Sequence, residues 1–259
     1  MRTTVRNEAF TLLQQGEQPS PALIAETHLR GLPAVVQRYL RYTQIIGKEP
    51  IRTVHLKQKG SFRTKEGQKW LPLVAEQYYT VQPPAFLWHG VIKPNPLLSI
   101  SASDRFSDGH GSLLVKLLSF ITMVDAHGPE ADQGELLRYL SEIVWFPTAW
   151  LSDSIEWQAL DARSARATIH HCGVTASAVL SFNVKDQLTR MLAQRYRLVK
   201  GQCVLEQWET RGGEYREVNG VCIPVKAEAL WKLQSGDFSY FRGEITDIAY
   251  NEDIVPIRV

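Results

Sequence analysis

Glu135, Arg138, Tyr139 and Glu142 recur three and four residues apart in the segment PEADQGELLRYLSEIVWF. On a helix this spacing aligns them along one side, where Arg138 can reach both carboxylates. Turned towards a cavity, such a face provides a Glu/Arg/Tyr cluster for acid/base work or for gripping a polar group. Turned towards water, it is a salt-bridged helix surface of small energetic value. Near the C-terminus, YFRGEITDI places Tyr240, Arg242 and Glu244 on one face of an ideal strand. Glu142 and Glu244 would form an acid/base pair if they met in one cleft. Trp145, at the end of the helical run, is expected at the apolar edge of a pocket. These eight residues are the candidate ligand-binding set.

Other chemistries find less support. Asp104, Asp108, His110, Asp125 and His127 carry suitable donors for a divalent ion. DGHG has the composition of a turn, however, and no metal site is assigned. His170 and His171 are adjacent, so in a strand their rings point to opposite faces. GxSxG, HExxH, GxxxxGK[ST] and strand-linked GxGxxG motifs are all missing, which lowers the standing of the commonest hydrolase, metalloprotease and nucleotide-binding classes. Cys172, Cys203 and Cys222 are odd in number and form no CxxC pair, so free thiols are expected. No cofactor is implied.

The 29 basic and 27 acidic residues are interspersed and leave a formal charge of +2, so no general attraction to nucleic acid is expected. No apolar run reaches membrane-spanning length, and the opening MRTTVRNEAFTLLQQ lacks the apolar core of a signal peptide. These features lead to the expectation of a cytoplasmic protein.

Periodicity indicates what positions the candidate residues. Helical spacing is expected in three short N-terminal segments. The first begins at Thr3 or Thr4 and stops at Gly16; the second is capped by Ser20 with Pro21 and stops at Gly31; the third opens at Pro33. From Ile51 the period changes to two, and prolines and turn dipeptides divide the chain into strands. Ser112 to Ala126 suits either a buried strand or a helix, with strand favoured. The strongest helix runs from Pro129 to Phe146, ended by Pro147. Beyond it, hairpins recur, most clearly at Asn219-Gly220. The expected fold class is α+β in a single domain, 1–259. It comprises a helical segment, 1–46, packed on a large curved antiparallel sheet, 51–259, with one central covering helix, 129–146.

The blocks GLPAVVQRYL, WLPLVAEQYYTVQPPAFLWHG, GELLRYLSEIVWFPTAWL, YREVNGVCIPVKAEALW and FSYFRGEITDIAYN span most of the chain. Together they resemble a family of uncharacterised bacterial proteins, a resemblance that implies no activity and no catalytic residue. The serial hairpins, the VNGVCIP turn and the covering helix also resemble the lipoprotein-carrier (LolA-like) half-barrel, whose helices plug its concave side. That resemblance implies an apolar ligand between sheet and helix. The first functional expectation is therefore non-enzymatic binding of an apolar or lipid-like small molecule. An enzyme using the Glu/Arg/Tyr cluster, with hydrolysis as its candidate chemistry, is the second, and a structural or protein-interaction module the third.

Overall fold

The computed structural model describes residues 2–16, 22–95, 98–118, 121–199 and 201–252. Among these residues there are three α-helices: α1 (Arg2–Leu13), α2 (Ala34–Tyr42) and α3 (Pro129–Glu142). The strands before α3 are β1 (Thr53–Phe62), β2 (Leu71–Thr80), β3 (Ala85–Asn95), β4 (Leu98–Ser107), β5 (His110–Leu117) and β6 (Ile121–Ala126). Those after it are β7 (Ile155–Asp161), β8 (Ser164–His171), β9 (Val174–Phe182), β10 (Leu188–Val199), β11 (Gln202–Val218), β12 (Val221–Leu233) and β13 (Gly236–Tyr250).

All thirteen strands form one antiparallel sheet in the order β6-β5-β4-β3-β2-β1-β13-β12-β11-β10-β9-β8-β7. Two meanders, β1 to β6 and β7 to β13, are thus joined where β1 pairs with β13. Alternation explains the curvature's inner face. Val54 and Leu56, Leu73 and Ala75, Phe86 and Trp88, and Ala176, Ala178 and Leu180 all belong to one core. α3 packs on β4 and β5 from one meander and on β9 and β10 from the other, so the sheet wraps around the helix as a half-barrel. The two arms meet near the β4–β5 turn, where a Cβ on Gly109 would lie 2.6 Å from Cys172 Cβ.

Turn chemistry places the hairpins. Asn219 and Gly220 have φ of 51° and 75°, the consecutive positive values that the β11–β12 turn requires. α2 and the segment after α3 close one end of the half-barrel, with the Tyr39 ring of α2 tilted against Trp150 and Phe182, centroids 4.4 and 5.5 Å away. α1 lies outside, its Ala9 and Leu12 packed on Tyr78, Ala85 and Leu87. The opposite end, which carries the β1–β2, β3–β4, β5–β6, β10–β11 and β12–β13 turns, is not covered by a helix among the described residues. No described helix is long and apolar enough to cross a membrane.

Three expectations change in detail. The second N-terminal helix is reduced to one 3-10 turn, Glu26–Leu29, because only Ile24 and Leu29 of that stretch reach the core. Its expected cap, Ser20 with Pro21, lies outside the described residues. The 112–126 segment is a hairpin of two strands, broken where Leu118 takes φ of 52°. The central helix ends at Glu142 rather than Phe146 and continues as 3-10 turns, Ile143–Trp145 and Pro147–Leu151. Proline disfavours helical backbone in the residue before it, and Phe146 takes φ of −141° and ψ of 71°.

Candidate functional site

Side chains from α3, both arms and the sheet's centre converge beneath the helix. The Arg138 guanidinium binds Asp104 of β4 through Nη1 and Glu142 through Nε at 2.9 Å. It also lies over the rings of Phe86 and Trp88, 5.2 and 5.0 Å from their centroids. The second carboxylate oxygen of Glu142 accepts from Gln77 Nε2 at 2.8 Å and from the Tyr79 hydroxyl at 3.0 Å. One turn earlier, Glu135 Oε1 accepts from Arg195 Nη2 of β10 at 3.1 Å. Arg195 in turn covers Trp208, whose Nε1 donates to the Tyr240 hydroxyl at 2.9 Å. Asp104 and Arg138 side chains are each 14% exposed, so the cluster borders the open half of the concave face.

Each element contributes for a local reason. Glu135, Arg138 and Glu142 share a face because α3 repeats every 3.6 residues. Asp104, Gln77 and Arg195 occupy inward-facing strand positions, in line with Ala102 and Phe106, Ala75 and Tyr79, and Met191 and Ala193. Gly90 leaves room for the Trp88 ring, because a Cβ there would run into it. Trp88 then donates from Nε1 to Gln58 at 3.3 Å.

Charge behaves unevenly across the cluster. Burial, reinforced by the neighbouring Asp104 charge, pushes the Glu135 carboxyl up to about 7 against the pull of Arg195 and Arg138. Burial also raises Asp104, opposed by Arg138. Burial works against the Arg138 charge, yet Glu142, Asp104 and Glu135 outweigh it and raise its pKa. Glu135 Oε2 and Asp104 Oδ1 are buried without a hydrogen-bond partner among the described residues.

A pH dependence of stability follows from Glu135. Its folded pKa lies above the unfolded value, so the native state holds the proton more tightly, and stability falls as pH rises from the carboxylate range through about 7. Glu135→Gln removes this dependence. At pH above 7 the variant is expected to exceed the wild type by up to ~3 kcal/mol, since each tenfold difference in proton affinity between the folded and unfolded chain is worth about 1.36 kcal/mol. Urea unfolding across this pH range tests the expectation, and parallel profiles for the two proteins would contradict it.

Of the eight residues singled out by sequence, Glu135, Arg138 and Glu142 converge, and Tyr240 joins them through Trp208 and Arg195. Tyr139 points away from the ion cluster, its hydroxyl donating to the Thr80 carbonyl at 3.1 Å. Trp145 is core rather than pocket edge, its Nε1 donating to the Pro224 carbonyl at 3.1 Å. Arg242 and Glu244 face outward, where they bind Glu228 at 3.0 Å and Lys59 at 3.4 Å. The cause is a β-bulge. The β12–β13 register slips between Ala229 and Leu230, which leaves Tyr240 unpaired and separates its face from that of Arg242. Glu142 and Glu244 therefore do not meet. Gln77, Tyr79 and Arg195 are not among the sequence candidates, and Asp104 is among them only as a donor for a divalent ion.

Beyond the cluster, the concave face continues towards the open end as Phe62, Leu71, Ile100, Val115, Tyr240 and Phe241, all only partly buried. Two surface grooves, of about 360 and 390 Å³, lie elsewhere, one along Gln82 to Pro84 and His171, the other against α1 at Thr11 and Arg105.

No curated protein matches the sequence significantly. A crystal structure described as an outer membrane lipoprotein-sorting protein domain from Vibrio parahaemolyticus is similar, with 6% identity and a TM-score of 0.47 over 84% of this chain and 91% of that one. A LolA superfamily protein from Nitrosomonas europaea is 11% identical, with a TM-score of 0.40 over 89% of this chain and 95% of that one. Residues 22–243 match the model described as a family of unknown function, DUF6544, and the chain belongs to that family.

Proposed function

We propose that the open half of the concave face binds an amphiphilic small molecule without transforming it. The apolar part of the ligand lies along the sheet, and its polar group meets the ion cluster at the edge of α3. The observation that supports this reading is the distribution of partly exposed apolar side chains. Phe62, Leu71, Ile100, Val115 and Phe241 come from five strands, yet all point to the same side at the same end. Apolar area left on a concave surface is a common site for a ligand, and its burial is worth ~25 cal/mol per Å².

Two measurements test the reading. Native mass spectrometry of the purified chain, followed by organic extraction, is expected to yield a stoichiometric apolar molecule or an apo protein able to take one up. For the apo protein, the uncharged fluorophore N-phenyl-1-naphthylamine serves as probe. Saturable binding is expected, weakened about tenfold or more by Ile100→Glu or Val115→Glu, since each puts a charge on the apolar floor. A clean apo mass together with no saturable probe binding overturns the proposal.

A further inference from the structure

The ion cluster constrains the polar end of the ligand, an inference that rests on the binding site proposed above. Three carboxylates, Asp104, Glu135 and Glu142, face two guanidinium groups, Arg138 and Arg195. Glu142 is satisfied on both oxygens by Arg138, Gln77 and Tyr79. Glu135 binds Arg195 through one oxygen only, and Asp104 binds Arg138 through one oxygen only. Their other oxygens, Glu135 Oε2 and Asp104 Oδ1, have no partner among the described residues, and Glu135 is only 6% exposed. The unmet capacity is thus that of acceptors, and with all five groups ionised the cluster carries one excess negative charge. An anionic head group would be repelled by these oxygens, whereas a cationic N–H donor would satisfy them.

We propose that the ligand is an amphiphile with a primary ammonium head, which donates to Asp104 Oδ1 and Glu135 Oε2 while its apolar chain runs over Trp88 and Phe241 towards the open end. In the free protein below pH about 7, a proton on Glu135 supplies the missing positive charge. Ligand uptake replaces it. The carboxylic acid of Glu135 becomes a carboxylate paired with the ammonium, and one proton leaves to solvent. The charged and titratable groups facing Glu135 are Arg195 from β10, Asp104 from β4, Arg138 and Glu142 from α3, and Tyr240 from β13.

Calorimetric titration of the full chain with dodecylammonium, dodecanol and dodecanoate, each below its micellar concentration, tests this. Dodecylammonium is expected to bind at least about tenfold more tightly than either of the others, as for one charge-assisted contact. Its affinity should rise with pH by up to about tenfold per unit until Glu135 is ionised, near pH 7, and then level off. Buffers of different ionisation enthalpy should report the release of close to one proton at about pH 6. In Glu135→Gln the pH slope should vanish and the ammonium should lose its advantage. Dodecanoate binding as tightly as the ammonium, or a slope that survives in the variant, overturns the head-group inference and leaves the apolar site standing. If none of the three binds, the apolar site itself fails and the inference falls with it.

Discussion

Replacing Arg138 by methionine is expected to lower stability at neutral pH by ~3–5 kcal/mol, the usual cost of breaking a buried ion pair by removing one partner. The guanidinium is bound by two carboxylates and lies over Phe86 and Trp88, so its loss strands Asp104 and Glu142 in a poorly solvated space. In a chain of this size the thermal midpoint should drop by roughly 10 °C, at about 2–4 °C per kcal/mol. The deficit should shrink on acidification, because a carboxylate stranded without its cation takes up a proton. Adding Asp104→Asn and Glu142→Gln should restore part of the loss, as an uncharged trio has less to desolvate. Thermal melts of the three proteins, wild type, single and triple variant, decide the matter, and a deficit below about 1 kcal/mol would place Arg138 among weak surface pairs.

Trp150→Ala is expected to cost a similar ~3–5 kcal/mol through a different route, the cavity left by a large side chain in a closed core. Trp150 is 1% exposed and contacts Tyr39, Trp157 and Phe182 with centroids at 4.4, 5.0 and 6.3 Å. Its Nε1 donates to the Ile143 carbonyl at 3.2 Å, and the chain folds back on itself through that bond just after α3. Trp150→Phe keeps most of the volume and loses the bond, so roughly 1–2 kcal/mol is expected of it. Loss of the near-ultraviolet dichroism of the stacked indoles, read beside urea unfolding, checks both. Unlike the Arg138 deficit, this one should not respond to pH, since no titratable group is stranded.

The contrast between these two sites also shows how much could be read from the sequence. Glu135, Arg138 and Glu142 were legible because helix spacing is local, and three- and four-residue offsets define one face whatever the rest of the chain does. Strand alternation was equally legible, and it held the missed signal. Asp104 follows Ile100 and Ala102, Gln77 follows Leu73 and Ala75, and Arg195 follows Met191 and Ala193, each a polar residue at an inward position. A charge on the apolar side of an alternating strand has to find a partner, and α3 carries the partners. Which strands would lie under that helix was not legible, since it depends on the pairing of β1 with β13. The outward turn of Arg242 was hidden for a smaller reason: one unpaired residue at Tyr240 reverses the faces that strict alternation predicts.

The adjacency of β1 and β13 also bears on how the chain reaches its native state. Within each meander every strand pairs with its neighbour in sequence, so both can form through short loops at little entropic cost. The Val54–Tyr250 pairing instead joins opposite ends of the sheet-forming region, and contacts of such long sequence separation slow folding. Two independently growing hairpin ladders are thus expected early in refolding, with the seam between β1 and β13 closing late. A chain cut in the loop between Ala126 and Pro129 would leave each ladder whole, and the two pieces should reassemble along that seam and around α3.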